Sequence, residues 1–237
     1  MNTIRRWSRV SRVLSLLAAA CFACVTVACD QTTAIPERPV SGSTITVIPA
    51  TFDKACRRGR ATLYDECSDQ LAIFDTAASR AAAENKVLLV SYGAEWCIWC
   101  HVFEKYIHGE KSRFAYTYGS PSAPEARKTS TIFEREKSDV SADAAALNAY
   151  AASSFVVVHI DEQYAPNNLA VLQNTGAIEY ADNSIPFIFT VDGKGRYAGH
   201  LDHDLVENRR DTDDWYRGYD RGKLIAELQR IHAAASK

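Results

Sequence analysis

Four short segments of the chain have the apolar patterns that are typical of β-strands. The first two are continuously apolar, as expected for strands that are buried on both faces of a sheet. The last two are separated by Gly193-Lys194-Gly195, which predicts a hairpin with a glycine turn. The four segments are KVLLVSY (86–92), FVVVHID (155–161), IPFIFTVD (185–192) and RYAGHL (196–201).

The intervals between these strands, and the end of the chain, show the apolar periodicity of helices. Predicted helices cover 68–86 with Ser68 as the candidate N-cap, a segment that starts near Cys97, 140–151, 168–176 closed by Gly176, and a C-terminal segment with Leu224, Leu228 and Ile231 on one face. Strands that alternate with helices predict an α/β fold. We expect a mixed central sheet with helices on both faces, followed by a C-terminal β-hairpin and helix.

The N-terminal segment has the layout of an export signal. Residues 1–12 carry four arginines, and residues 13–28 are apolar and uncharged, a run that is short for a membrane span. This pattern predicts a signal peptide over 1–28. Residues 29–51 are rich in Thr, Ser and Pro and predict a tether, and residues 52–237 form the predicted folded domain.

The end of the signal segment, VTVAC (25–29), resembles a bacterial lipobox, in which the cysteine is lipidated and becomes the new N-terminus. The resemblance implies that Cys29 carries a lipid anchor. It also implies that Asp30 retains the protein at the periplasmic side of the inner membrane. An ordinary cleaved signal, which would release a soluble periplasmic protein, and an uncleaved anchor are the alternatives.

Composition and charge narrow the functional classes. The chain has 237 residues, 47% of them hydrophobic, which suits one globular domain and argues against disorder or low-complexity structure. The formal net charge of −2 becomes −6 when the four arginines of residues 1–28 are set aside. A mildly acidic protein has no electrostatic reason to approach polyphosphate, so no nucleic-acid partner is expected.

Two cysteines three positions apart, Cys97 and Cys100, follow a buried strand and begin a predicted helix. Free amide groups and the positive end of the helix dipole stabilise a thiolate at such a position. The thiolate is the nucleophile of disulfide exchange, and the second cysteine is placed to resolve the mixed disulfide. The spacing therefore predicts thiol–disulfide chemistry.

The chain resembles the thioredoxin superfamily over about residues 68–235. The resemblance depends on the AEWC-x-x-C motif (94–100), the strand FVVVHID and Ile185-Pro186 before the hairpin, in that order. The stretch VLLVSYGAEWCIWCHVFEKY (87–106) is most similar to the periplasmic C-terminal domain of transmembrane thiol:disulfide interchange proteins and to related exported thioredoxin-like domains.

This resemblance implies a thioredoxin fold with Cys97 as the attacking thiol and Cys100 as the resolving thiol. Pro186 is expected to be cis and to face the site, and the backbone of Ile185 to pair with an extended substrate. The expected substrate-binding residues are Trp96, Trp99, Ile185 and Pro186.

The implied activity is that of a thiol:disulfide oxidoreductase, with a reductase or interchange role favoured over an oxidase. Its expected partners are protein thiols and disulfides of extracytoplasmic proteins and an upstream thiol electron donor. No cofactor and no metal are expected.

Glu104 lies four residues after Cys100, on the same predicted helical face. The resemblance places this carboxylate near the cysteines, and we expect it to raise the pKa of the resolving thiol and to relay its proton. A solvated helix carboxylate is the alternative. Ser91 stands where thioredoxins carry a buried aspartate, so acid–base chemistry falls to Glu104, His101 or water. His101 is expected to be exposed, with pairing to the Cys97 thiolate as the alternative.

The letters CIWCH (97–101) also have the form of a c-type haem attachment motif. A methionine is a common distal ligand of such haems, and the chain has no methionine besides Met1. The buried strand before the motif also argues against a small, mainly helical cytochrome. A further class is a non-catalytic thioredoxin-like module that binds a partner, or a metal through Cys97, Cys100 and His101.

Two further features lie outside the predicted core of the domain. Cys56 and Cys67 belong to an N-terminal extension (52–67), and nearby cysteines in an oxidising compartment usually pair, so a structural disulfide is predicted. A second redox pair and two free thiols are the alternatives. Residues 109–137 are polar and aromatic and predict an inserted loop, either for partner recognition or as flexible decoration.

Overall fold

A five-stranded mixed sheet forms the centre of the fold in a computed structural model that describes residues 42–53, 55–56, 61–110, 142–207 and 218–237. The strands are β1 (Thr46–Ile48), β2 (Val87–Gly93), β3 (Phe155–Asp161), β4 (Phe187–Val191) and β5 (Tyr197–His200). Their order across the sheet is β1-β3-β2-β4-β5. β1, β3 and β2 are parallel, whereas β4 runs antiparallel to β2 and forms a hairpin with β5.

Helices cover both faces of this sheet. Within the described residues they are α1 (Gln70–Glu84), α2 (Ile98–Ile107), α3 (Ala142–Ser154), α4 (Asn168–Thr175), α5 (His203–Val206) and α6 (Arg221–Ala235), with a 3₁₀ turn at Ala177–Glu179. Apolar residues of α1 and α4 join one core cluster, and those of α2, α3 and α6 join another. The predicted α/β fold with a mixed sheet, helices on both faces and a C-terminal hairpin and helix is confirmed.

Strand β3 shows why the apolar segments are continuous. Successive strand side chains point to opposite faces. Val156 accordingly packs in the cluster of α1 and α4, whereas Phe155 and Val157 pack in the cluster of α2, α3 and α6. Both faces are covered, so both sets of side chains must be apolar. His159 and Asp161 are polar residues of this strand, and both are completely buried.

The sequence pattern predicted that the folded part starts at residue 52, but the structure shows that it begins earlier. Strand β1 lies within the segment 29–51 that was predicted to be a tether, and it pairs in parallel with β3. Ile45, just before β1, is 5% exposed and joins the core. β-branched residues at 44–48 favour a strand, and the polar composition of the surrounding segment obscures this signal. The tether prediction is therefore wrong for residues 45–48.

The start of α1 also differs from the prediction. Asp69, not Ser68, is the N-cap, and its carboxylate accepts hydrogen bonds from the amides of Leu71 and Ala72. The Ser68 hydroxyl donates instead to Asp65. Serine and aspartate are about equally good N-caps, so their adjacent positions left the choice to tertiary contacts.

Several predicted features lie outside the described residues. These are the signal peptide 1–28, the lipidation residue Cys29, most of the tether and residues 111–137 of the inserted loop. Among the helices that the structure describes, none combines the length and the apolar character needed to cross a bilayer.

Candidate functional site

The junction between β2 and α2 places Cys97 and Cys100 side by side. Their sulfur atoms are at disulfide distance, and their Cα atoms are 5.3 Å apart. Cys97 is the N-cap of α2, and its Sγ accepts a hydrogen bond from the backbone amide of Cys100 at 3.2 Å. Cys97 is 4% exposed, and Cys100 is completely buried. The outer sulfur therefore lies at the positive end of the helix dipole, which stabilises a thiolate, and the inner sulfur is shielded from solvent.

The segment before β4 faces the outer sulfur. The Ile185–Pro186 peptide bond is cis, as the resemblance predicts. The carbonyl oxygen of Ile185 lies 3.6 Å from Cys97 Sγ, so a reduced and protonated Cys97 can donate a hydrogen bond to it. The fold thus brings together predicted site residues that are 88 positions apart in the chain.

The two tryptophans of the motif have different surroundings. Trp96 is 44% exposed, and its indole nitrogen donates to the side-chain oxygen of Gln163 at 2.8 Å. Trp99 is half-buried and packs edge-on against Tyr219, with 5.4 Å between the ring centroids. Trp96 is therefore accessible to a partner, whereas Trp99 helps to hold α2 in place.

A tyrosine from the N-terminal extension occupies the inner side of the cysteine pair. A Cβ atom on Gly93 would lie 2.6 Å from Cys100 Sγ and 2.6 Å from the Tyr64 hydroxyl oxygen. This hydroxyl is 2.9 Å from Ser91 Oγ, and Tyr64 and Ser91 are completely buried. Burial raises the pKa of Tyr64 far above its ordinary value, although the hydrogen bond with Ser91 opposes the shift. The hydroxyl therefore remains protonated.

Two attachments hold this part of the extension in place. A Glu95 carboxylate oxygen accepts hydrogen bonds from the backbone amides of Leu63 and Tyr64, both at 2.9 Å. Cys56 and Cys67 lie at disulfide distance, with their Cα atoms 5.9 Å apart, as the predicted structural disulfide requires. Glu95, which directly precedes Trp96, therefore positions Tyr64 beside Cys100.

Glu104 connects a buried histidine with a histidine near the surface. One carboxylate oxygen is 3.1 Å from His159 Nε2, and the other is 2.9 Å from His108 Nε2. The exposed fraction of the side chain is 1% for His159, 18% for Glu104 and 35% for His108. The carboxylate is therefore held within a histidine cluster and is not the solvated surface group of the alternative prediction.

The charges and hydrogen bonds of this cluster shift the pKa values of Glu104 and His108. Burial opposes the ionisation of Glu104, but the charge of His159 and hydrogen bonds with both imidazoles outweigh it, so the pKa of the carboxyl is lowered. The hydrogen bond with Glu104 raises the pKa of His108 against the effect of partial burial. The pair of Glu104 and His108 therefore favours the ionised forms of both groups.

His101 adopts neither of its two predicted arrangements. Its Nε2 is 2.7 Å from the backbone oxygen of Glu95, and 19% of its side chain is exposed. The imidazole of His101 is thus occupied by a backbone contact. Cys100 Sγ is packed against Gly93. These two contacts give no structural support to a haem at this motif. No group of three or more metal-ligating side chains occurs among the described residues.

Sequence reasoning missed three residues around the cysteines. His159 interrupts an apolar strand, and a titratable residue in such a segment is a usable signal. Glu95 lies two residues after the end of β2, but its partners lie 31 and 32 positions earlier in the chain. Tyr64 gives no signal, because the extension has no periodicity and its contact with Ser91 spans 27 positions.

Comparisons with known proteins do not assign the chain to a family. No family model matches the chain, and no curated protein is similar enough in sequence to count as a match. The function is therefore inferred from the fold and from the geometry around the cysteines.

Proposed function

We propose that the protein is an exported, thioredoxin-like thiol:disulfide oxidoreductase that reduces or interchanges the disulfides of extracytoplasmic proteins. The proposal depends on one observation: Cys97 and Cys100 lie at disulfide distance at the N-terminus of α2, with the outer sulfur facing the carbonyl of Ile185. A mixed sheet with helices on both faces is compatible with a thioredoxin-like fold.

The proposed reaction moves two electrons through the cysteine pair. The Cys97 thiolate attacks one sulfur of a substrate disulfide, which breaks that bond and releases a substrate thiolate that takes a proton from water. Cys100, once deprotonated, attacks Cys97 Sγ in the mixed disulfide and releases the second substrate thiolate. The protein is left with the Cys97–Cys100 disulfide, which an upstream dithiol donor reduces by the same exchange in reverse.

The surroundings of Cys97 suit an extended polypeptide substrate. The exposed ring of Trp96 lies beside the outer cysteine in the chain, and the backbone carbonyl of Ile185 faces its sulfur. We assign substrate contact to Trp96 and to the Ile185-Pro186 segment. Trp99, which packs on Tyr219, supports the helix that carries the cysteines.

Glu104 is assigned the transfer of protons between the interior and the surface. Its carboxylate bridges the buried His159 and the partly exposed His108, so hydrogen-bonded groups extend from β3 to solvent. Groups that are linked in this way can pass a proton along their hydrogen bonds, so the proton does not have to cross apolar packing. This assignment keeps the proton relay that was expected from the sequence and adds the two histidines to it.

The direct test is disulfide reduction by the purified protein. With a small dithiol as electron donor, the wild type should accelerate the reduction of insulin. Cys97→Ser should abolish the acceleration, and Cys100→Ser should accumulate a mixed disulfide that mass spectrometry detects, because the resolving thiol is lost. The reduction potential of the Cys97–Cys100 pair then distinguishes a reductase from an oxidase.

Other outcomes would assign the protein to another class. An intense Soret band in the absorbance spectrum would indicate a haem protein attached through the same cysteines. A protein that forms and loses the Cys97–Cys100 disulfide but never accelerates insulin reduction would be a binding module.

Export and anchoring complete the proposal. Residues 1–28 support a signal peptide, and the lipobox resemblance supports a lipid anchor on Cys29. The protein would then act on the periplasmic side of the bacterial inner membrane, where exported proteins form disulfides.

A further inference from the structure

A polar atom close to the inner sulfur comes from a distant part of the chain. The Tyr64 hydroxyl oxygen and Cys100 Sγ each lie 2.6 Å from the point that a Gly93 Cβ would occupy. The two atoms can therefore be no farther apart than twice that distance. Tyr64 also belongs to the small buried cluster that encloses both cysteines, together with Leu63 and Ala94.

We propose that the Tyr64 hydroxyl donates a hydrogen bond to Cys100 Sγ whenever this sulfur carries a negative charge. The inference deepens the proposed function and rests on it, because it assigns a donor to the sulfur that leaves and attacks during exchange. Ser91 completes the arrangement: when its hydroxyl donates to the Tyr64 oxygen, the hydrogen of Tyr64 is available to the sulfur.

The need for such a donor follows from the burial of Cys100. When a thiolate of the upstream reductant attacks Cys97 Sγ, the Cys97–Cys100 bond breaks and its electron pair stays on Cys100 Sγ. Cys100 is completely buried, so water does not solvate this charge. A buried charge without a hydrogen-bond partner is costly, and a hydrogen bond to a charged group is stronger than one between neutral groups. Tyr64 supplies this bond and keeps its own proton.

The charged groups around the hydroxyl favour donation over proton transfer. Glu104 on α2, Glu95 in the β2–α2 loop and Asp161 on β3 all disfavour a negative charge on Tyr64. His159 faces the tyrosine edge-on, with 5.2 Å between the ring centroids. Because burial and these carboxylates keep Tyr64 neutral, the hydroxyl acts as a donor that is present at every working pH.

The hydroxyl pair of Ser91 and Tyr64 occupies the place of a buried carboxylate in the proteins that this chain resembles. Thioredoxins carry a buried aspartate at this position of the resemblance, and an aspartate accepts a proton. Ser91 and Tyr64 are neutral hydroxyls that donate, so this pair of hydroxyls stabilises a Cys100 thiolate without itself receiving the proton.

The test is the titration of Cys100 in a protein that cannot form the disulfide. In a Cys97→Ser background, the ultraviolet absorbance of the Cys100 thiolate is followed against pH, with the Cys97→Ser, Cys100→Ser double variant as the blank. Adding Tyr64→Phe should lower the acid dissociation constant of Cys100 about tenfold, as expected for the loss of one hydrogen bond to a charged group. Tyr197→Phe, whose hydroxyl contacts His200 on β5, should leave it unchanged.

The outcomes separate this inference from the proposed function. A folded Tyr64→Phe variant with an unchanged Cys100 titration would overturn the inference, whether or not the protein reduces insulin. A shifted titration in a protein without turnover would support the hydrogen bond and contradict the proposed function. If Tyr64→Phe does not fold, Ser91→Ala takes its place: a smaller decrease of the same constant supports the hydroxyl pair, and no change overturns it.

Discussion

At the scale of single residues, the packing around Cys100 requires that position 93 has no side chain. A Cβ on Gly93 would lie 2.6 Å from two atoms that are both held in place, the sulfur of Cys100 and the hydroxyl of Tyr64. Gly93→Ala should therefore lower the free energy of unfolding by about 1–3 kcal/mol, the usual effect of overpacking a core. Urea unfolding of the oxidised protein measures this change.

The matched control is a glycine with open surroundings. Gly193, in the β4–β5 turn, has no atom within 4 Å of its would-be Cβ and no left-handed backbone. Gly193→Ala should change stability by less than about 0.5 kcal/mol. Equal stability of the two variants would show that the pocket beside Cys100 expands without cost.

The Glu104–His108 pair predicts how stability depends on pH. The pKa of His108 is raised above its ordinary value of 6.5, so its stabilising contribution is complete below that pH and is lost as pH rises through the raised pKa. The pKa of Glu104 is lowered below its ordinary 4.5, so its contribution is complete above that pH and is lost as pH falls through the lowered pKa. The oxidised protein should therefore be most stable between these two ordinary values.

Glu104→Gln should remove most of the loss of stability that His108 causes on the alkaline side. Urea unfolding at about pH 5.5 and about pH 8.5 measures the difference. The control is Glu84→Gln, because Glu84 pairs with Lys86 and Arg80 and with no histidine. The link between Glu104 and His108 would be disproved by equal slopes in the wild type and in Glu104→Gln.

At the scale of elements, the N-terminal extension is a positioned part of the site. The Cys56–Cys67 disulfide closes most of it into a loop, and Glu95 holds the amides of Leu63 and Tyr64 within that loop. The extension thereby places a side chain against α2 without being part of the sheet. Its order should depend on both attachments.

The joint variant Cys56→Ser, Cys67→Ser should lower the free energy of unfolding by about 3 kcal/mol, because the unfolded chain loses a covalent constraint. Amide hydrogen exchange should accelerate at Leu63 and Tyr64, where the disulfide limits local opening. Glu95→Gln should accelerate exchange at the same two amides while leaving the disulfide intact. Unchanged exchange in the cysteine variant would mean that Glu95 alone orders the extension.

At the scale of the whole molecule, the sheet brings distant segments to one end. The carboxyl end of β2 leads to the cysteine pair, β3 contributes His159, and the segment before β4 contributes the carbonyl of Ile185. Parallel β2 and β3 end at the same edge, so His159 near the end of β3 lies beside Ser91 of β2. The mixed sheet therefore determines where the candidate site lies.

The anchoring proposal also belongs to the whole molecule. Cys29→Ala should move the expressed protein from the membrane fraction to the soluble periplasmic fraction, because the lipid attachment site is removed. Cys24→Ala changes another cysteine of the same N-terminal segment, so it is the matched control and should leave the protein in the membrane fraction. Mass spectrometry of the mature N-terminus identifies the modified residue. Membrane retention of Cys29→Ala would indicate an uncleaved N-terminal anchor.

The local patterns of the chain predicted most of the fold and the position of the cysteine pair at the N-terminus of a helix. The continuous apolar runs correspond to β2 and β3, and Gly176 ends α4 in the left-handed conformation as expected. Strand β1 was missed, because three residues in a polar segment leave too short a pattern. Cys100 and Glu104 were singled out by their spacing on one helix, because the helical repeat sets which residues are neighbours. The role expected for Glu104 stays a prediction.

The sequence by itself determined the alternation of strands and helices and the pair of cysteines at a helix N-terminus, because both depend on neighbours within one element. Only the tertiary structure decided what surrounds the inner sulfur and the carboxylate. Tyr64 meets Ser91 across 27 positions, and His159 meets Glu104 across 55. Such contacts follow from how the extension and the two sheet faces pack, and packing selects partners by shape and burial that no local repeat encodes.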